Sequence, residues 1–129
     1  MVSSKMTTRK QRGERAEALV ADHYQSLGYR VLDRNWSCRG GEIDLVVAND
    51  EVLAFVEVRS VTTGFLRGAE VTVTPAKQGR VALAAELWLG QQSGIDADIR
   101  FDVVSVRFRR LLSPRLERFE NAFTPPWAV

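Results

Sequence analysis

Two apolar runs separated by a short polar stretch constrain the fold of this 129-residue chain more than any other feature. The runs are Glu42–Ala48 (EIDLVVA) and Val52–Arg59 (VLAFVEVR), and the stretch between them is Asn49-Asp50-Glu51. Short runs rich in Val, Leu, Ile and Phe and bounded by Asn or Asp are typical of β-strands. The segment therefore predicts an antiparallel β-hairpin, which is the best sheet-forming part of the chain.

Charged residues interrupt this hairpin where a core would favour Val or Ile. If the turn lies between Asp50 and Glu51, opposing residues have numbers that add to 101, so Asp44 faces Glu57 across the strands. Directly opposed residues have Cβ atoms about 4.5–5.5 Å apart. A turn centred one residue earlier would instead place Asp44 opposite Phe55.

In the first register, in which Asp44 faces Glu57, successive side chains of each strand point to alternate faces of the hairpin. One face carries Glu42, Asp44, Val46, Phe55, Glu57 and Arg59, with Glu42 opposite Arg59, and the other carries Ile43, Leu45, Val47, Val56 and Val58.

The opposed carboxylates have two interpretations that the spacing leaves open. Two adjacent carboxylates repel each other, and a fold tolerates them when a cation lies between them. Mg²⁺ prefers oxygen ligands, so Asp44 and Glu57 are typical of half of a Mg²⁺ site. Alternatively the hairpin carries a ladder of ion pairs, in which Arg59 neutralises Glu42 and Glu57.

The first helix and the strand after it are predicted from periodicity. Apolar residues recur every three or four positions from Gly13 to Leu27, which predicts an amphipathic helix. Gly28 supplies its end, and Tyr29–Leu32 is expected to be a short strand.

Thr74 and Pro75 are the N-cap and first residue of a second predicted helix, which ends near Gly90 or Gly94. A strand at Ile99–Phe108 follows. The remaining predicted elements are a loop at Val61–Val73, in which Glu70–Val73 can form a short strand, and a last strand within Leu111–Phe123 after a turn at Ser113-Pro114. The order α-β-β-β-α-β-(β) favours an α/β fold with a mixed sheet covered by helices.

Composition narrows the class of protein. One cysteine excludes an internal disulfide, and one histidine argues against a His-based metal site or a Ser-His triad. No apolar run approaches the length of a membrane span, and the first residues lack the apolar core of a secretory signal, so we expect a cytoplasmic protein. Basic residues crowd both ends of the chain, where they either contact phosphates or lie in solvated segments. Residues 1–11 are expected to form a basic mobile tail and residues 12–129 a single domain.

Four short motifs carry a resemblance to a known family. The segments "GERAE", "GGEIDLV", "FVEVR" and "RFDVV" resemble the YraN family of small bacterial proteins, over roughly Gly13–Val106 with a weaker "NAF" at Asn121–Phe123. That family is predicted to be endonuclease-like and related to Holliday-junction resolvases and PD-(D/E)xK nucleases. The resemblance implies a restriction-endonuclease-like (resolvase-like) mixed β-sheet flanked by helices.

The same resemblance assigns roles to individual residues. Asp44 and Glu57 match the two acids of the nuclease motif, and Glu17 matches the helix glutamate of the resolvase-like pattern. Arg59 lies where such nucleases usually have lysine, and Lys77 lies where the family commonly carries one. The resemblance implies a Mg²⁺ (or Mn²⁺) ion held by Asp44, Glu57, the backbone carbonyl of Val58 and Glu17, directly or through water.

Arg59 separates two functional hypotheses. Arginine stays protonated and cannot act as a general base, but it can hold a phosphate and stabilise negative charge. In the first hypothesis the chain is a metal-dependent endonuclease, in which Lys77 or the metal alone activates water. In the second it is an inactive nuclease-fold domain that binds nucleic acid. The expected partner in both is nucleic acid, with structured or branched DNA favoured over RNA by analogy of fold, and a homodimer is left open.

Overall fold

The computed structural model describes residues 8–61, 73–125 and 127 of the chain. Within these ranges the helices and strands follow the predicted order. The helices are α1 (Arg9–Ser26) and α2 (Pro75–Gly90), and the strands are β1 (Arg30–Cys38), β2 (Gly41–Ala48), β3 (Val52–Val61), β4 (Asp98–Arg109) and β5 (Leu112–Phe119). Neither of the described helices has the length and apolar character that crossing a membrane requires.

The strands form one mixed sheet in the order β1-β2-β3-β4-β5. Neighbouring strands are antiparallel except for β3 and β4, which are parallel. A parallel pair needs a crossover connection, and α2 lies in the connection between β3 and β4. The predicted α/β class with a mixed sheet is confirmed.

The two helices lie against opposite sides of the sheet, and each side holds an apolar cluster. On the α2 side, Phe55 and Phe101 pack against Trp88 and Val81, so Trp88 is a core residue. On the α1 side, Val56 and Val104 pack against Val20 and Tyr24, together with their buried neighbours. The alternation of β3 and β4 thus sends successive side chains to the two clusters.

Helix α1 begins at Arg9, four residues before the predicted start at Gly13. The side chain of Thr8 accepts a hydrogen bond from the Gln11 backbone N–H, and the Gln11 side chain accepts one from the Thr8 N–H. This capping box stabilises the additional turn. The expected boundary between tail and domain, at residues 11 and 12, falls inside α1, and residues 1–7 lie outside the described part of the chain.

Other boundaries were predicted correctly where local chemistry determines them. Gly28 has a φ of 93° just after α1, and Thr74 caps α2 with Pro75 in its first turn. The end of β1, in contrast, was predicted too early, because the strand extends to Cys38 and not only to Leu32.

The turn predicted at Ser113-Pro114 was wrong. Arg109 pairs with Leu112, so the chain reverses at Arg110 and Leu111. Pro114 instead lies within β5, which is an edge strand, and an edge strand tolerates a residue that has no N–H to donate. Apart from Val61 and Val73, the predicted loop and its short strand lie outside the described residues.

Gly41 allows α2 to lie close to β2. A Cβ atom at this position would overlap the carbonyl oxygen of Arg80 and approach the Cβ of Ala84 to 3.1 Å. Because the Arg80 oxygen belongs to the helix backbone, it cannot rotate away as a flexible side chain would. The close approach brings the beginning of α2 to the hairpin.

We therefore expect Gly41→Ala to destabilise the protein by about 1–3 kcal/mol, the usual cost of overpacking. Gly79→Ala is the matched control, since Gly79 lies in α2 with open space around it. Alanine in a helix interior is favoured over glycine by about 0.5–1 kcal/mol, so this variant should be slightly stabilised. Urea unfolding of the two variants and the wild type measures both effects. Equal stability of Gly41→Ala and the wild type would contradict the close approach.

Candidate functional site

The hairpin has the predicted register, and it opens at Asp44. Leu45 pairs with Val56, and the pairing continues regularly to Ala48 and Leu53. Beyond this ladder, the Val58 N–H donates its hydrogen bond to Asp44 Oδ2, at 2.8 Å, instead of to a backbone carbonyl of β2. Asp44 therefore lies at the point where β2 and β3 separate.

Strand β2 also changes faces at Asp44. Ile43 and Val46 both belong to the apolar cluster on the α2 side, although residues three apart in a regular strand point to opposite faces. The prediction that Ile43 shares a face with Leu45 was therefore wrong. Asn35 lies across from Asp44, between Arg34, which pairs with Leu45, and Trp36, which pairs with Ile43. It has a φ of 49°, and this left-handed residue interrupts the regular twist of β1.

The Asp44 and Glu57 side chains are neighbours at this opening, where each affects the pKa of the other. Glu57 is only 5% exposed. Burial, followed by the neighbouring Asp44 charge, raises the pKa of Glu57 to about 8. Burial also raises the pKa of Asp44, although the Val58 N–H and the Lys77 charge partly offset that effect. The protein therefore holds two carboxyl groups where ionising both is unfavourable.

Lys77 is the cation that faces this pair. It lies in the first turn of α2, and its Nζ is 3.1 Å from Glu42 Oε1 and 3.4 Å from Glu57 Oε2. Burial lowers the pKa of Lys77, but the Glu57 and Glu42 carboxylates more than compensate, so the net shift of this pKa is upward. The predicted opposition of Glu42 and Arg59 was wrong, because the pairing of β2 with β3 ends at Leu45 and Glu42 binds Lys77.

Glu17 approaches from the other side of the sheet. It is half-buried on α1, whereas Glu14 is exposed, in agreement with the predicted choice between them. Burial and the Asp44 charge raise the pKa of Glu17, while a hydrogen bond to the Asn35 side chain opposes that rise. Asn35, which belongs to β1, thus lies between the opening at Asp44 and Glu17 on α1.

A cleft of about 450 Å³ lies in front of Glu57. Arg59 and Ser60 line it from β3, and Thr74, Lys77 and Arg80 line it from α2. Arg59 is also exposed to solvent. The cleft therefore combines the buried Glu57 carboxyl group with three cationic side chains, those of Arg59, Lys77 and Arg80.

One oxygen in this cleft has no hydrogen-bond partner among the residues that the structure describes. Glu57 Oε1 is buried and accepts no hydrogen bond, whereas Oε2 faces Lys77. A buried polar atom without a partner is costly, and a bound cation would satisfy it. In Asp44, it is Oδ2 that accepts the hydrogen bond from the Val58 N–H.

The described residues contain no group of three Asp, Glu, His or Cys side chains close enough to hold a metal ion together. Two carboxylates, a backbone oxygen and water would be the donors for Mg²⁺ here, and this set has the oxygen chemistry that Mg²⁺ prefers. The backbone contact that the structure gives for Val58 is its N–H to Asp44, so the metal role of its carbonyl stays a prediction.

Sequence reasoning missed two residues of the site. Arg80 lies three positions after Lys77, which is the spacing that places two helical side chains on one face, so this signal was present. Asn35 had a weaker signal: asparagine is enriched at left-handed positions, but its contact with Glu17 depends on the packing of α1.

Comparison with known proteins assigns the chain to a family. The model of the uncharacterised protein family UPF0102 matches residues 16–106, which include Glu17, Asp44, Glu57 and Lys77. This chain belongs to the UPF0102 family. The resemblance to the YraN family is thereby confirmed.

UPF0102 relatives cover most of the chain. A UPF0102 protein of Geobacter sulfurreducens is 40% identical over 111 residues, which span 86% of this chain and 87% of the relative. A UPF0102 protein of Anaeromyxobacter dehalogenans is 49% identical, over 86% of this chain and 82% of the relative. A UPF0102 protein of Mycolicibacterium gilvum is 46% identical, over 84% and 90%.

The raised pKa of Glu57 predicts how stability depends on pH. Between the ordinary pKa of 4.5 and about 8, the folded protein keeps a proton that the unfolded chain releases. Stability in EDTA should therefore fall as pH rises through this window, by about 1.4 kcal/mol for each unit of pKa difference, and level off above it. Glu57→Gln should remove most of this dependence.

Urea unfolding at pH 5, 7 and 9 measures the effect. Glu51→Gln is the control, because Glu51 is exposed in the turn between β2 and β3 and should leave the dependence unchanged. A Glu57→Gln variant that loses as much stability as the wild type between pH 5 and 9 would show that Glu57 does not retain the proton.

Proposed function

We propose that this UPF0102 protein is a metal-dependent endonuclease that hydrolyses phosphodiester bonds in nucleic acid, with structured or branched DNA as its preferred substrate. The observation that carries the proposal is the proximity of the half-buried Asp44 and the buried Glu57 carboxyl groups, where Glu57 Oε1 has no hydrogen-bond partner among the described residues. Two adjacent carboxylates repel each other and so destabilise the protein alone, whereas a divalent cation between them would be attracted by both charges.

The proposed fold is the restriction-endonuclease-like (resolvase-like) one. In its support, a mixed sheet lies between two helices, and both acids lie where β2 and β3 separate. Fold alone does not establish activity, so the proposal depends on the chemistry of the site.

Asp44 and Glu57 would hold the ion, with the Val58 carbonyl as a backbone donor and Glu17 acting through water. Once bound, Mg²⁺ or Mn²⁺ would polarise the scissile phosphate and make a water molecule more acidic. Glu17 lies on the α1 side and its pKa is raised, so it can exchange a proton nearer to neutral pH than an ordinary glutamate.

The cations of the cleft bind and neutralise the phosphate. Arg59 offers a planar guanidinium that can donate two parallel hydrogen bonds to phosphate oxygens. Lys77 has a raised pKa and stays protonated at neutral pH, which argues for a role in stabilising negative charge and against a role as general base. Its position beside Glu57 supplies the positive charge that nucleases of this type usually place two residues after the second acid.

Cleavage assays test this function. We expect the wild type to cleave four-way, flapped or linear DNA in the presence of Mg²⁺ or Mn²⁺. Asp44→Asn and Glu57→Gln should each lower the rate by at least about 100-fold, because each removes a ligand of the ion. Asp50→Asn, in the exposed turn of the same hairpin, should cleave like the wild type. Cleavage that persists in Asp44→Asn would remove Asp44 from the mechanism.

A second function is favoured by the position of Lys77. Its ammonium group already lies against Glu42 and Glu57, so a cation of the protein itself partly neutralises the acids. Together with arginine in place of lysine at position 59, this arrangement favours a domain that binds nucleic acid in the cleft without cutting it.

Metal-linked stability distinguishes the two functions without measuring activity. A site for Mn²⁺ predicts a rise in Tm that grows with the logarithm of Mn²⁺ concentration, and Glu57→Gln should abolish the rise. The Asp50→Asn control should keep it. A wild-type Tm that is independent of Mn²⁺, together with salt-sensitive binding of DNA, would favour the binding domain.

A further inference from the structure

The tip of the hairpin between β4 and β5 carries two exposed leucines. Leu111 is 94% exposed and Leu112 is 62% exposed. Leu111 also has a φ of 62°, a left-handed conformation that suits glycine or asparagine better than leucine. The position therefore combines an unfavourable backbone conformation with an exposed apolar side chain. Strain of this kind is often kept for function.

Arginines surround these leucines. The segment Arg107–Arg118, which we call the basic arm, contains five arginines and one glutamate. Arg110 and Arg115 are exposed, and neither forms an ion pair with another described residue. The Arg109 guanidinium donates hydrogen bonds of 3.0 and 2.6 Å to the carbonyl oxygen of Ser113, which orders the arm without neutralising its charge.

The basic arm extends from the end of the sheet that holds the cleft. Strands β3 and β4 are parallel, with Glu57 paired to Val103 and Val61 paired to Arg107. Four residues of strand place the beginning of the arm roughly 13 Å beyond Glu57 along the strands, and the leucine tip further out. Each strand of a duplex carries a phosphate about every 3.4 Å along the helix axis, so DNA that lies along β3 and β4 with one phosphate in the cleft would also reach the arm.

The positive surface continues from the arm onto α1. The Arg15 guanidinium lies 5.1 Å from the centre of the Phe108 ring, in a cation–π contact that joins the two elements. Arg9 and Lys10 are exposed in the preceding turns of α1. The arm and the neighbouring helix thus supply several exposed cations, which suits a ligand with many phosphates better than a single anion.

We propose that the basic arm binds DNA at a branch point, with Arg110 and Arg115 on the phosphates of one duplex and Leu111 and Leu112 against the base pair exposed at the branch. Leucine is among the apolar side chains that DNA-bending proteins insert between base pairs. A continuous duplex hides its base-pair faces, whereas a junction exposes them, so the leucines favour branched substrates. This inference rests on the proposed function for the class of ligand, and it adds the part of the protein that selects the substrate.

Binding measured without cleavage tests the inference. The full chain carrying Asp44→Asn is titrated in EDTA onto a fluorescent four-way junction and onto a linear duplex of equal length. Leu111→Gly in this background relieves the left-handed strain and removes the side chain. We expect its Tm to equal or exceed that of the parent, its affinity for the junction to fall by at least about tenfold, and its affinity for the duplex to stay the same.

Two further variants complete the test. Arg110→Ala with Arg115→Ala should weaken both DNAs alike and reduce the slope of log K against log salt by about 2. Leu87→Ala removes another exposed leucine, on α2 and away from the arm, and should change neither affinity.

Unchanged junction affinity in Leu111→Gly would overturn the inference. A dimer that dissociates in this variant would also overturn it, as would binding to anionic phosphatidylserine vesicles that competes with junction DNA, because both results assign the leucines to another partner. If the arm variants lose binding but the wild type never cleaves, the inference stands and the proposed catalysis fails. If the wild type cleaves and the arm variants bind normally, the catalysis stands and the inference fails.

Discussion

The contact between Asp44 and Glu57 is the interaction on which the candidate site depends. Both carboxyl groups are held by the hairpin, one at the last position before β2 and β3 separate and the other on a buried strand. Their repulsion and burial raise both pKa values, and Lys77 supplies the positive charge that the folded chain places beside them. A protein built for stability alone would have an apolar pair at this position.

The placement of α2 follows from small residues and local caps. Thr74 and Pro75 determine where the helix begins, so Lys77 lies in its first turn and Arg80 one turn later. Gly41 leaves room for the helix backbone beside β2, and this contact brings Lys77 within reach of Glu42 and Glu57. The glycine in the "GGEID" motif thus has a packing role that is separate from the acids that follow it.

Sequence reasoning succeeded where a local rule was sufficient. The register of the hairpin, the end of α1 at Gly28 and the start of α2 at Thr74 each depend on a turn or a cap, and each was correct. The family was also identified correctly from short motifs. The two failures lie in the sheet: the turn at Ser113-Pro114 was wrong because Pro114 lies in the edge strand β5, and the face of Ile43 was wrong because β2 is not a regular strand at Asp44. Neither property is visible in the periodicity of one segment.

The sequence by itself determined which residues are candidates for the site: two acids in one hairpin, a glutamate on the first helix, and an arginine two residues after the second acid. These assignments follow from residue type, alternation and motif, which are local properties of the chain. Only the tertiary structure decided how the charges are paired, since Lys77 reaches the hairpin through the packing of α2 and Glu17 reaches Asn35 through the packing of α1. Such contacts join residues far apart in the chain, and their energies depend on burial, which no single segment specifies.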